Sequence, residues 1–245
     1  MGRKKSEKPS GIEVLWETMW GRFALVGFLL GFLWLVLLVD WAVFGADEAG
    51  LRAYGIRPRQ VDGLPGILFA PFLHAGVNHL AMNAVPFLVL GCLMMIRGIR
   101  DFLFTVLVSI LAGGGVVWLV GARGIHLGVS GVVFGLLGCL IVVGILERRP
   151  LGIVMSSLVT VFYGGLLLIL VSGPVDSSWE SHVFGFLSGL GSAWWLTRRV
   201  RRDRRQAWAL RQARKEPATV EPVPEPEPTP TLEPELTPEP EIEPE

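Results

Sequence analysis

The sequence is poor in cysteine and has no recognisable metal-binding pattern. Its two cysteines, Cys92 and Cys139, lie in the middle of apolar runs. Thiols in such surroundings behave as small buried apolar groups, so neither a disulfide nor a thiolate site is expected. No HExxH pattern occurs, and the four histidines do not have the spacing of metal ligands. The sequence therefore predicts no metal and no other cofactor.

Positive charge is absent from one end of the chain. The chain has 22 basic and 22 acidic residues, but ten of the glutamates lie in residues 216–245, which contain no lysine or arginine. The remainder therefore carries 22 basic against 12 acidic residues. The Glu/Pro-rich segment cannot bury a core and is predicted to be a disordered tail. The basic residues 198–215 before it predict a juxtamembrane helix on an anionic membrane surface.

Long apolar runs dominate the rest of the chain, and hydrophobic residues make up 51% of the whole sequence. Six of them are long enough to cross a bilayer, for which a helix needs about 20 residues. The sequence thus predicts an all-α polytopic membrane protein, with membrane lipids and no nucleic acid among its partners. The predicted transmembrane helices cover residues 23–44, 77–96, 102–120, 127–146, 151–171 and 182–196.

Basic residues cluster at alternate ends of the six predicted spans. This pattern places both termini in the cytoplasm. Three arginines in the first outer loop, residues 45–75, depart from it, but that loop is apolar and is expected to lie in the membrane interface. The domains predicted in this way are a basic cytoplasmic N-terminus (residues 1–22), a six-helix domain (residues 23–197), the basic helix and the tail.

Four polar side chains lie inside the apolar runs at similar depth. Measured from the predicted inner edge at ~1.5 Å per residue, Ser130 and His182 lie about 25 and 24 Å deep, and Asn83 and His79 about 21 and 27 Å. Polar groups at such depth are costly and indicate function. Taken alone, His79 and Asn83, which are four residues apart, also fit an interhelical hydrogen bond. Taken together, the four residues point to one layer near the outer surface.

Glycines surround Ser130 and follow His182. Gly128 and Gly131 flank the serine and permit close approach of the backbone and free N–H groups at a helix start. Gly131 begins one GxxxG stripe, and Gly185 and Gly189 form another below His182, so the fourth and sixth spans can pack closely. That packing would bring the serine hydroxyl within reach of the histidine, as nucleophilic catalysis requires. An ion pathway is disfavoured because no charged residue lies in the middle of any span after the first.

These motifs together resemble those of the rhomboid intramembrane serine proteases. The resemblance covers residues 55–196 and includes Phe72–Asn83, the GxSG at Gly128–Gly131 and the HxxGxxxG at His182–Gly189. It implies a rhomboid-like bundle and a catalytic dyad of Ser130 and His182 without a carboxylate. It also implies that oxyanion stabilisation comes from His79, Asn83 and the backbone around the serine at Gly128, Val129 and Ser130.

The resemblance also implies supporting roles for other residues, and the sequence departs from the family pattern at two places. Phe134 stands where an aromatic residue packs on the catalytic histidine. The structural residues are His74, Gly131, Gly185 and Gly189. The outer loop lacks the Trp-Arg pair of the family, and apolar residues around Met95 replace a glutamate low on the second span. How the loop and the second span are braced is therefore open.

The implied substrates are transmembrane segments of other proteins, cut near their outer ends after local unwinding of the helix. The fifth span and residues 172–181 are the expected gate and cap, with a bend at Gly164–Gly165. A multi-pass protein of the cell membrane, of the prokaryotic plasma-membrane type, is predicted. The alternative is a non-catalytic rhomboid-like chaperone that binds client transmembrane helices.

Overall fold

The computed structural model of the protein describes residues 11–45, 49–167 and 179–213. The predicted tail, most of the predicted cap and the first ten residues lie outside them. Residues up to Arg204 belong to one compact unit, and a second unit begins at Arg205 and is described only through Ala213. In chain order the α-helices are α1 (Gly11–Phe44), α2 (Gly66–Phe69), α3 (Val77–Arg97), α4 (Ile99–Val108), α5 (Gly114–Val120), α6 (Ser130–Glu147), α7 (Pro150–Tyr163) and α8 (Trp179–Ala213).

Four of the predicted spans are present as helical segments long and apolar enough to cross a membrane. Within the described residues these are Thr18–Phe44, Val77–Arg97, Ile99–Val120 and Ser130–Glu147. The third consists of α4, a π-helical turn at Ser109–Gly113 and α5. The protein is therefore a multi-pass helical membrane protein.

The fifth and sixth predicted spans differ from the first four. Helix α7 is apolar but short, and a turn at Gly164–Gly165 follows it, at the predicted bend; residues 168–171 lie outside the described ranges. Residues 182–196 lie in α8, which runs on into the basic stretch as far as Ala213. Residues 198–213 of the basic segment are helical as part of α8, and its role as a juxtamembrane helix stays a prediction. Six transmembrane helices and the orientation of the termini stay predictions.

Helix α6 lies at the centre of the bundle. In the span Ser130–Glu147, 67% of the residues are buried, compared with 39% or fewer in the other three spans. A helix that is apolar on all sides is expected in such a position. Small residues on α6 permit close neighbours: a Cβ at Gly144 would collide with the backbone of Gly152 on α7. Buried side chains such as Leu80, Leu90 and Leu136 fill the space between α6 and the other helices.

A buried ion pair joins α3 to α6 at the end of the bundle where α3 terminates. Arg97 Nη2 lies 2.7 Å from Glu147 Oε1, and Nη1 lies 3.4 Å from Oε2. Arg97 also contacts Asp101 at 3.2 Å, and the Glu147 side chain is 2% exposed. A two-point arginine–carboxylate contact fixes the relative position of two helices better than a single bond does. The carboxylate that braces α3 thus comes from the last residue of α6.

The loop before α3 is braced at the opposite end by contacts to the last turn of α5 and the segment after it. Ile56 and His126 exchange two backbone hydrogen bonds of 2.9 Å as an antiparallel bridge. Arg59 Nη1 donates to the Gly121 carbonyl at 2.8 Å, and Trp118 Nε1 donates to the Gln60 carbonyl at 2.8 Å. These contacts hold the loop in the absence of the Trp-Arg pair.

Candidate active site

Ser130 is the first residue of α6. It follows Gly128, whose φ of +110° lies in a region that residues with a Cβ rarely adopt. This conformation turns the chain sharply into the helix, and Ser130 is buried, with 4% exposed. The N–H groups of the first helical residues have no intrahelical acceptor, so the start of α6 supplies backbone donors beside the hydroxyl.

Helices α6 and α8 meet through backbone contacts between glycines. A Cβ at Gly185 would collide with the carbonyl of Gly131, and one at Gly189 would collide with the carbonyl of Gly135. No side chain larger than hydrogen fits at either position. The two stripes predicted to pack therefore face each other, and the first turn of α6 lies beside the first turns of α8, which carry His182.

Phe134 completes the contact between these turns. Its ring stacks on that of His182, with centroids 4.5 Å apart and planes inclined by 23°. Within the described residues, His182 Nδ1 is buried without a hydrogen-bond partner, and no hydrogen bond joins Ser130 Oγ to His182. Packing on Phe134 therefore orients this imidazole. In catalytic pairs the nucleophile–base bond is often long without substrate and shortens in the complex.

His79 and Asn83 lie on one face of α3, and the His79 ring lies against the serine turn, which is the segment Gly128–Ser130. The Ala75 N–H donates to His79 Nδ1 at 3.4 Å, which leaves the proton of the neutral ring on Nε2. A Cβ at Gly128 would lie 2.7 Å from His79 Cε1 and 3.0 Å from Nε2, so the donor edge of the ring lies against Gly128. Asn83 Nδ2 donates one hydrogen to the His79 carbonyl at 2.8 Å, and its amide has a second hydrogen to give.

Two predicted oxyanion donors are already engaged by the protein. The Gly128 N–H donates to the Ala70 carbonyl at 2.8 Å, and the Val129 N–H donates to His74 Nε2 at 3.3 Å. Both amides therefore hold the turn in place, and the role of Gly128 and Val129 in oxyanion stabilisation stays a prediction. Among the predicted backbone groups, this leaves the N–H of Ser130 as a donor.

His74 supports the serine turn from outside the spans. It is 2% exposed, and its ring packs edge-on against His79 with centroids 5.3 Å apart. His74 Nε2 can accept the hydrogen bond from the Val129 N–H only while the His74 ring is neutral. Burial, reinforced by the nearby His79, lowers the pKa of His74 from 6.5 to about 4. The hydrogen bond to Val129 is thus maintained at neutral pH.

Acidification is expected to destabilise the fold through His74. Between pH 6.5 and about 4 the unfolded chain binds a proton at this residue that the folded protein excludes, so stability falls as pH falls. The full difference is on the order of 3 kcal/mol. Between pH 7 and 4.5, the unfolding temperature of the detergent-solubilised protein should fall more steeply than that of His74→Gln. The amide oxygen of glutamine can accept the same hydrogen bond but does not titrate. Equal slopes would contradict this role.

Two polar residues that hold the site were not singled out from the sequence. Glu180 is buried in the first turn of α8, and its Oε1 accepts the Ala122 N–H at 3.0 Å, which ties α8 to the chain before α6. His126 is 6% exposed and lies 3.0 Å through Nε2 from the Ala122 carbonyl. The depth of Glu180 next to His182 was a usable signal, whereas its partner is a backbone group that no sequence pattern identifies.

Comparison with known proteins identifies the class of this fold and site. The chain matches the Rhomboid domain over residues 62–199, which is more than half of its length. It therefore belongs to the rhomboid family, whose members are in general intramembrane serine proteases. It is 37% identical over 190 residues to uncharacterised proteins of Mycobacterium tuberculosis and Mycobacterium bovis, covering 74% of this chain and 76% of theirs. An uncharacterised protein of Mycobacterium leprae is 37% identical over 193 residues, with 75% and 73% covered.

Proposed function

We propose that this protein is an intramembrane serine endopeptidase that hydrolyses peptide bonds in or near transmembrane segments of other membrane proteins. Ser130 is the nucleophile and His182 the general base. The observation that carries the proposal is the glycine-to-glycine contact of α6 and α8 with Phe134 stacked on His182. This contact supports the pairing of a buried hydroxyl with an imidazole that packs on Phe134.

The two residues act as a proton-transfer pair. His182 accepts the proton of the Ser130 hydroxyl as Oγ bonds to the carbonyl carbon of the scissile peptide. The tetrahedral intermediate then collapses, the C–N bond breaks, and the imidazolium returns the proton to the leaving amine. Water attacks the resulting ester with His182 again as base, which releases the new carboxyl terminus and restores the serine.

We assign stabilisation of the negative charge on the tetrahedral intermediate to His79, Asn83 and the N–H of Ser130. His79 presents Nε2–H at Gly128, and Asn83 has an amide hydrogen that the helix does not use. The N–H of Ser130 lies at the start of α6. Preorganised donors of this kind act most strongly where bulk water is excluded.

Hydrolysis within a membrane also needs water at the site. A cavity of about 30 Å³ borders Gly128 and Gly131 and is lined on its polar side by Ser109, His126 and Ser181. At ~10–15 Å³ per water by this measure, it has room for about two molecules with hydrogen-bonding partners. This cavity supports a local supply of water for the second half of the reaction.

Substrate entry is assigned to the side of α7. Helix α7 is fixed to α6 at its start, where Gly144 meets Gly152 and Ser156 Oγ donates to the Leu140 carbonyl at 2.7 Å. Beyond this contact, Val161 and Phe162 are 76% exposed, Tyr163, Leu166 and Leu167 pack against the core, and a turn lies at Gly164–Gly165. Two consecutive glycines give this end of the chain the backbone freedom that lateral movement requires. With both termini cytoplasmic, the site lies towards the outer face of the cell membrane.

Labelling with a serine-directed fluorophosphonate tests the dyad directly. The purified protein should be labelled, and Ser130→Ala should not be, because the nucleophilic oxygen is gone. His182→Ala should react far more slowly because no base accepts the proton. Ser188→Ala removes another serine hydroxyl, one that contacts Ser109 at 3.2 Å, and should label like the native chain.

Labelling of Ser130→Ala would refute the assigned nucleophile, and equal labelling of His182→Ala would refute the base. A native chain that binds transmembrane helices but neither reacts nor cleaves would favour the chaperone alternative.

A further inference from the structure

At the end of the bundle where α3 terminates, a cavity of about 340 Å³ is lined by four arginines. Its walls come from three parts of the chain: Arg22 on α1, the α3–α4 junction from Arg97 to Asp101, and one side of α8. It is separated from the candidate active site by most of the length of α3. From His79 to Arg97 this is about 27 Å at 1.5 Å per residue.

The charges on the walls favour an anion. Four guanidinium groups, from Arg22, Arg97, Arg100 and Arg199, face two carboxylates, from Asp101 and Asp203. Arg97 contacts both Glu147 and Asp101, and Asp101 also interacts with Arg199. With Asp203 on the exposed side, the four arginines outnumber these three carboxylates by one charge. Guanidinium groups that converge in this way match the oxygens of a phosphate.

An unpaired donor within the cluster supports the same conclusion. Arg97 uses Nη1 and Nη2 on carboxylates, but its Nε–H is buried and has no acceptor in the part of the chain that the structure describes. Buried donors of this type are normally satisfied. A bound oxygen atom in the cavity would supply the missing acceptor.

The remaining lining indicates where the anion comes from. Ile99, Leu196 and Val200 give the cavity an apolar wall, and Arg22, Arg97 and Ile99 lie at the ends of three membrane-spanning segments. The site is thus at the boundary of the apolar layer, where phospholipid phosphates are found. Its volume is within the ~300–1,000 Å³ range of small-ligand pockets, larger than a lone inorganic ion requires.

We propose that this cavity binds a phosphate-bearing anion, as the headgroup of an anionic phospholipid or as free phosphate, and that binding links α1, the α3–α4 junction and α8. Basic pockets between membrane helices recognise such headgroups by charge and shape. The site is independent of the proposed peptidase activity and would be retained by a catalytically inactive chain.

Thermal unfolding and native mass spectrometry of the detergent-solubilised full chain test the proposal. Phosphatidylglycerol should raise the unfolding temperature and remain bound on mass measurement, whereas phosphatidylcholine should do neither to the same extent. Arg100→Gln and, separately, Arg199→Gln should each weaken the apparent affinity for phosphatidylglycerol about fivefold. Both arginines are exposed, so their replacement should leave the fold intact.

Arg202→Gln is the matched control, since it removes one exposed arginine of α8 that does not line the cavity. It should keep the native affinity. Inorganic phosphate and glycerol phosphate form the second arm: equal stabilisation by these ions would identify free phosphate as the ligand of the same site. Equal effects of phosphatidylglycerol and phosphatidylcholine would overturn the proposal. So would an equal loss in Arg202→Gln, because diffuse surface charge would then explain the binding.

Discussion

Ser130→Ala is expected to reduce cleavage of a transmembrane substrate at least about a thousandfold while the fold is retained. The loss follows because alanine offers no oxygen to form the ester intermediate, and removal of a nucleophile costs orders of magnitude in kcat. The fold should persist because alanine keeps the Ser130 N–H and nearly the same volume. The measurement is the initial cleavage rate of a purified model substrate in proteoliposomes, with unfolding temperature as a parallel readout.

Ser188→Ala is again the matched control and should cleave at the native rate. His182→Ala should fall by a similar order to Ser130→Ala, and the double variant should be little worse than either single one, because the two residues act as a unit. Cleavage by purified Ser130→Ala, or additive losses in the double variant, would mean that the dyad is wrongly assigned.

Gly185→Ala is expected to impair both stability and activity. The added Cβ would collide with the Gly131 carbonyl and lie 3.0 Å from the Gly131 Cα, so the backbones of α6 and α8 must separate. Overpacking of this kind costs about 1–3 kcal/mol. A displacement of the order of 1 Å at reacting groups can lower the rate about a hundredfold. Unfolding temperature and cleavage rate are measured on the same preparation.

Gly191→Ala separates this effect from the general consequence of adding a methyl group to α8. A Cβ at Gly191 meets nothing within 4 Å, so the change should be neutral or stabilise the helix by up to about 1 kcal/mol. If Gly185→Ala and Gly191→Ala behave alike, close contact of the helices is not what positions Ser130 and His182.

The sequence predicted those parts of the molecule that depend on local pattern. Apolar runs located the first four spans, and the glycine stripes predicted the close approach of α6 and α8. Each of these follows from residues near one another in the chain, since span length and GxxxG spacing are local quantities. The turn at Gly164–Gly165 falls on a local signal of the same kind, two consecutive glycines.

Contacts between distant residues could not be predicted in this way. Arg97 and Glu147 stood in the sequence only as charges at the ends of spans, yet they form the buried pair that joins α3 to α6. The Gly128 and Val129 amides were expected to face substrate, but acceptors at Ala70 and His74, more than 50 positions earlier, take their hydrogens. A single sequence gives no register between such segments, so these partners emerge from the packed helices alone.

The π-helical turn at Ser109–Gly113 joins the two halves of the third span and takes up one residue more than an α-helical turn does. The half before it turns Phe102 and Thr105 into the core, and Ser109 contacts Gly135 of α6; the half after it turns Val117 towards Ile56 and the outer loop. One residue corresponds to about 100° of rotation in an α-helix. Thr105, Ser109, Gly113 and Val117 are buried at intervals of four residues, which in a regular α-helix would drift by about 40° per interval. The extra residue in the π-helical turn offsets most of that drift, so the buried faces of the two halves stay in line.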